Sequence, residues 1–272
     1  TRLMLVRAGI EPTTYMYQQM ARTIQSLENT YATHIISPSQ SSFDSWLSSS
    51  PYMHPDHKLS YYTIGRRIGL VLDLSLRGRT EGKVSLDDVF RYLYKEYYQR
   101  GKGVPEDGIQ LAMEALSGLS WQKFFDDHVH NTKPFDYPAM FAPFGLEIDE
   151  ITNTKAGPKR MGLLSVEEKP AGIWGKRIHK GGDAYAAGIA KGDYITQLNG
   201  EVVDLESFST KMNKLKEGKP FTITYIHGDL PPKEIEIEYK AMFQPRTFEI
   251  QPRKRIKPEQ KAMLTDWLGT KQ

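Results

Sequence analysis

The apolar residues of this 272-residue chain change their spacing once, and that change excludes a single uniform architecture. Up to about Val129 they recur at three- and four-residue steps, the spacing of one helix face. Beyond Thr152 to Pro158, a polar stretch containing Gly157-Pro158, they fall into short strand-like runs separated by turns. The length points the same way, because 272 residues is long for one compact unit.

The first part reads as helices. Pro12-Thr13-Thr14 opens a pattern with Tyr15, Met16, Met20, Ile24 and Leu27 on its face. Residues 37–42, rich in Ser and Pro, read as a loop, followed by the aromatic pair Phe43 and Trp46. Ser60 is the expected N-cap of a helix with Tyr61, Ile64, Ile68 and Leu72 on its inner face and Gly78 at its end. Leu70, Val71, Leu74 and Leu76 make that helix apolar nearly all round, as at the buried centre of a bundle. Ser85-Leu86-Asp87-Asp88 starts another helix, with acidic side chains offsetting the helix dipole. Pro105-Glu106-Asp107 starts a further one through Leu116, and Ser120-Trp121 a short one carrying Phe124 and Phe125. The expectation is an all-α bundle.

The second part reads as strands at 162–166, 172–178, 194–198, 221–227 and 234–239. Asn199-Gly200 is a tight-turn signal, since both residues tolerate positive φ. One amphipathic helix interrupts the strands from Asp204, its N-cap, to Lys216, with Leu205, Phe208, Met212 and Leu215 facing inward. Five short strands with one late helix suit a small β-barrel capped by helices. The tail carries a basic run, Arg253-Lys254-Arg255, then a helical turn or two through Met263, Leu264 and Trp267.

Composition excludes several functions. Net charge is +3, from 36 basic and 33 acidic residues, so nothing calls for nucleic acid as a partner. No apolar run reaches the roughly 18 residues that a membrane span needs. There is no Cys, so disulfides and thiolate metal sites are excluded. The first residues, Thr1 to Arg7, start mid-pattern and read as a cut edge.

Gly181-Gly182-Asp183-Ala184, Ala187-Gly188-Ile189, Gly192-Asp193, Ile195 and Asn199-Gly200 together resemble the bacterial PDZ pattern, with Gly182 and Asp183 where Ser-Pro is usual. That resemblance implies a PDZ domain over 159–243, after a linker at 151–158, and a groove that takes peptides or protein C-termini as an added strand. Arg160, Met161, Gly162 and Leu163 would form the loop that cradles a terminal carboxylate. Leu163, Leu164, Ser165 and Val166 would form the strand offered for pairing. The alternative is a groove left empty or filled by the chain itself.

The helical part also resembles a family. Leu5-Val6-Arg7-Ala8-Gly9, Ala21-Arg22-Thr23-Ile24, residues 42–46, Ser60 to Gly65, Leu72-Asp73-Leu74 with Arg77, Ser85 to Val89 and Phe124-Phe125 are similar, in that order, to the later part of the glycyl aminopeptidases. These are zinc metallopeptidases with a thermolysin-like catalytic domain followed by a PDZ domain. The resemblance implies an α + β multidomain chain: residues 1–150 the helical half of a peptidase domain, then the PDZ domain, then a tail at 244–272. The parent would cleave the first peptide bond of peptides beginning with small residues such as Gly or Ala. Extracytoplasmic placement in a bacterium is favoured over the cytoplasm, although the compartment is left open.

Zinc in that family is held by His-Glu-x-x-His and a later Glu. This sequence has no His-Glu-x-x-His. Its seven His offer only His54 with His57 and His128 with His130 as close pairs, both read as incidental. No metal or other cofactor is therefore expected in this chain, and zinc is expected in a longer parent. The family Glu ligand falls shortly before the segment matching Thr1 to Gly9, which puts the start of the chain just past the metal site. In related aminopeptidases the Tyr of Tyr-x-Lys-Gly donates a hydrogen bond to the oxyanion of the intermediate. Tyr62-Thr63-Ile64-Gly65 matches the Tyr and the Gly, with Ile at the Lys position, and makes Tyr62 the candidate. Tyr61 should point toward the core. The alternatives are two tyrosines that only pack, and a whole protein that is a non-catalytic scaffold binding peptides.

Overall fold

The computed structural model describes residues 2–48, 59–152 and 157–269. Helices α1 (Arg2–Arg7), α2 (Thr13–Glu28), α3 (Pro38–Phe43), α4 (Ser45–Ser48), α5 (Tyr61–Arg79), α6 (Leu86–Glu96), α7 (Gly108–Ser117), α8 (Gln122–His128) and α9 (Tyr137–Phe141) precede strand β1 (Leu146–Thr152). Strands β2 (Leu163–Lys169) and β3 (Gly172–Ile178) follow, then helix α10 (Asp183–Ala186), β4 (Tyr194–Leu198) and β5 (Glu201–Val202). Helix α11 (Leu205–Lys214), β6 (Pro220–Ile226), β7 (Lys233–Glu238), β8 (Arg246–Pro252) and α12 (Pro258–Leu268) complete the order. The chain divides into two compact units. Unit 1 comprises Thr1–Glu28, Ala32–Glu150 and Phe248–Gln272, and unit 2 comprises Asn29–Tyr31 and Ile151–Thr247.

Unit 1 is built around α5, and the all-round apolar character of that helix has a clear cause. Val71 and Leu74 pack with Met16, Ile24, Phe141 and Phe144. Leu72 and Leu76 face the other way, into Val89, Met113, Trp121 and Phe125. Ile64 joins Leu27, Ala32 and Leu59 near the start of the helix. One helix thus serves several cores, which is why the stretch Val71 to Arg77 is buried on almost every side, while Tyr61, Tyr62, Gly65 and Arg66 near its start stay exposed. Ser60 caps it, accepting the Thr63 N–H at 3.4 Å. Ser85 and Asp88 form the reciprocal capping box of α6.

Several expectations are corrected. The Ser- and Pro-rich segment is not a loop: Ser37 caps α3 and Pro38 occupies its first turn, where a missing N–H costs nothing. Unit 1 is not all-α, because β1 and β8 pair in a two-stranded sheet. Much of the tail belongs to unit 1. Trp267 on α12 is buried, its indole N–H donating to Asp73 Oδ2 at 2.9 Å.

Unit 2 is a six-stranded antiparallel sheet in the order β2-β3-β4-β6-β7, with β5 beside β4. The sheet is open rather than a closed barrel, since its path ends at β2 and β7. Alternation on β6 sends Phe221, Ile223 and Tyr225 inward. Helix α11 covers that face with Phe208 and Met212, and Asp204 caps the helix by accepting the Ser207 N–H at 2.7 Å. Asn199 and Gly200 take φ of 51° and 75°, as the turn between β4 and β5 requires.

A candidate peptide-binding edge and a tyrosine pair

Strand β2 lies at one end of the sheet path, paired with β3 on one side. Its register slips on both sides of Ser165, a bulge that bends the strand. Leu163 is buried in the core, while Leu164, Ser165 and Val166 are half-buried. Helix α11 runs beside this strand. At its first turn, the Leu205 N–H donates to Glu168 Oε2 at 3.3 Å. Near its last turn, Asn213 crowds Gly157, where an added Cβ would stand 2.8 Å from Asn213 Oδ1. Val166 on the strand and Leu205 and Leu215 on and just after the helix are partly buried apolar side chains packed against the core. A strand edge beside an apolar strip has what an extended peptide needs: main-chain partners along one wall and side-chain contacts along the other.

The loop before β2 is less free than a carboxylate cradle requires. The Gly162 N–H donates to Lys159 O at 2.9 Å and the Leu164 N–H to Gly162 O at 3.0 Å. Gly162 has φ of 88°, and a Cβ there would meet Gly182 Cα at 2.9 Å. Met161 is wholly buried in the core. Arg160 pairs with Glu217 at 3.5 Å and lies 5.6 Å over the Tyr239 ring. Of the residues singled out from the sequence, Leu164, Ser165 and Val166 are half-buried on the end strand, and Met161 and Leu163 are buried in the core. Glu168 and Asn213 were not foreseen. Their signal is positional only, arising where the ends of α11 meet β2 and the turn at Gly157–Met161.

Tyr61 and Tyr62 open α5. Tyr62 is 72% exposed and Tyr61 38%, so Tyr61 does not point into the core as expected. Their rings pair at 4.2 Å and 32°. The hydrogen bond that the Tyr61 hydroxyl donates to Tyr62 raises the Tyr61 phenol pKa above its ordinary value, with a smaller contribution from desolvation. The pair is open to solvent, but the described residues do not fit a zinc ion beside it. They contain no group of three His, Asp or Glu able to hold a metal. His128 Nδ1–H donates to Lys133 O at 2.9 Å, and His130 is exposed. His54 and His57 lie outside the described residues.

Residues 1–68, a quarter of the 272, match the sequence profile of the M61 glycyl aminopeptidase family, and that match relates the chain to peptidases of the family. The fold is shared with the crystal structure of an aminopeptidase N family protein from Idiomarina loihiensis, with a TM-score of 0.82 at 20% identity. The likeness covers 98% of this chain and 46% of the other, so the chain spans less than half the length of that relative. An HtrA3 PDZ domain bound to a phage-derived ligand gives a TM-score of 0.22 at 14% identity, covering 39% of this chain and 92% of that one. An HtrA-type protease with a decapeptide gives 0.22 at 16%, covering 42% and 30%. Likenesses that slight do not bear on the fold. No curated protein matches the chain.

Proposed function

We propose that unit 2 is a PDZ-type module that binds extended peptides by strand addition at the β2 edge, within a protein of the glycyl aminopeptidase type. The observation that carries this reading is the half-buried run Leu164 to Val166 on an end strand, bordered by α11. Zinc would supply Lewis-acid chemistry in a longer protein of that type, and no group of described residues in this chain would hold it. In that protein Tyr62 would stand ready as a hydrogen-bond donor at the reacting oxygen, and Arg160 to Leu163 would shape the end of the groove. The sequence encoded ahead of Thr1 tests the enzyme reading: His-Glu-x-x-His with a later Glu supports it. Their absence favours the rival, a non-catalytic peptide-binding protein. The groove has its own test. Fluorescent heptapeptides selected on the chain should bind at least ten-fold more weakly to Val166→Lys and to Leu205→Lys. Equal binding by both variants would remove the groove from the proposal.

A further inference from the structure

A pocket within unit 1 is lined by Glu28, Thr33, Arg67, His128, Lys133 and Phe135, among others. Its free volume is about 20 Å³, room for a carboxylate head but not for the chain that carries it, and the exposed Asn131, Lys133 and Pro134 in its lining leave it open to solvent. Its wall is unusually polar for its depth, since Arg67 and Thr33 are only 5% and 6% exposed. Glu28 Oε1 accepts from Arg67 Nη1 at 3.2 Å and from the Tyr137 hydroxyl at 2.8 Å. The Arg67 guanidinium also stands 5.2 Å over the Phe135 ring. Two polar groups remain unmatched: Arg67 Nε and Thr33 Oγ1 are buried with no hydrogen-bond partner among the described residues.

A buried donor left unpaired is destabilising, and a charged one more so. Both orphans can donate, one from a guanidinium and one from a hydroxyl, and a carboxylate offers two oxygens that only accept. Charge narrows the choice. Arg67 is countered by Glu28, and Lys133 by Asp127 at 2.7 Å. Burial pushes the His128 pKa down, so its ring adds no charge at neutral pH. The wall is thus balanced, and it tolerates one negative charge better than the two of a phosphate. We propose that this pocket binds a single carboxylate, with Arg67 Nε–H and Thr33 Oγ1–H as its donors. The site is distinct from the β2 edge and does not depend on it. The carboxylate of a small acid, of a peptide C-terminus or of an acidic side chain shares this chemistry.

The test uses the full chain labelled with ¹⁵N-arginine, following the Arg67 Nε–H resonance. Sodium acetate should shift it saturably, and sodium chloride at equal ionic strength should not. Thr33→Val, which removes only the hydroxyl donor, should weaken acetate binding about five-fold, the worth of one hydrogen bond. Thr33→Ser should restore binding to within about two-fold, because it returns that donor. Glycylglycine, N-acetylglutamate amide and glycylglycine amide then separate the sources. The first two should bind if a C-terminus or a side chain fits, and the amide should not. The proposal is overturned by the absence of a saturable shift with acetate, by an equal shift with chloride, or by unchanged acetate affinity in a folded Thr33→Val. Should Thr33→Val fail to fold, the acetate and chloride titrations of the unmodified chain decide.

Discussion

Asp73 joins three parts of unit 1 that are far apart in the sequence, and removing its carboxylate should unfold that unit early. Asp73 is 7% exposed and accepts from Arg77 Nε at 3.1 Å, from the Leu86 N–H at 2.9 Å and from the Trp267 indole at 2.9 Å. Arg77 keeps its ion pair with Asp266, but Trp267 is 1% exposed and has no water to turn to. Asp73→Ala leaves at least two buried donors short of an acceptor, at about 1–3 kcal/mol each. Removing one partner of a buried pair gives a similar range, about 3–5 kcal/mol. A loss of about 4 kcal/mol is therefore expected, which lowers the melting temperature of a unit this size by roughly 8–16 °C. Trp267→Phe deletes a single donor and should cost about 1–2 kcal/mol. Urea unfolding of both single variants and the double variant, followed by near-ultraviolet circular dichroism, measures the coupling, expected at about 1 kcal/mol or more. A loss below about 1 kcal/mol for Asp73→Ala, or strict additivity of the pair, would refute the reasoning.

Other perturbations probe the remaining elements. Partial burial pushes the Asp88 pKa up, but the Ser85 hydroxyl and backbone N–H, with Arg91, outweigh it and hold it below its ordinary 3.8. A depressed carboxylate stabilises above its unfolded pKa, and that contribution is lost as pH falls through the folded value. Asp88→Ala should therefore cost about 1 kcal/mol at pH 7 by urea unfolding, with the gap closing as pH drops below about 4. Phe208 is fully buried under α11. Phe208→Ala should cost about 3–5 kcal/mol in thermal unfolding of unit 2 and leave the unit 1 transition in place. In a longer active protein, Tyr62→Phe should lower kcat about 100- to 1,000-fold with little change in KM. Tyr61→Phe should cost less than ten-fold, and equal losses would exclude Tyr62 as the oxyanion donor.

Local signals were legible where the sequence and the fold agree over a few residues. Ser60, Ser85 and Asp204 stand as helix caps because each has a short oxygen acceptor ahead of an apolar-periodic run. Asn199-Gly200 forms the expected turn because few other residues accept two successive positive φ values. The same kind of signal was misread at Ser37-Pro38, where the cap-then-proline order of a helix start was taken for a loop. Non-local pairing was the harder part. Leu146 and Ile148 alternate with polar residues as a strand should, but the partner β8 lies about a hundred residues away, beyond the whole of unit 2. Tyr61 shows the limit of reading a helix face by period alone. At the first turn of α5 the bundle has not yet closed around the helix, so an apolar position remains exposed. Strand β2 and helix α11 were legible from their local patterns, whereas the contacts of Leu205 with Glu168 and of Gly157 with Asn213 depend on tertiary placement.

The most direct measurement of strand addition at β2 is amide hydrogen exchange in unit 2, with and without a selected heptapeptide. An added strand ties up main-chain groups along the free edge of β2, so exchange at Leu164 to Glu168 should slow at least ten-fold. Amides of β7, at the opposite end of the sheet path, should be unchanged. Slowing at β7 with none along β2, or binding without protection of either strand, would contradict the account.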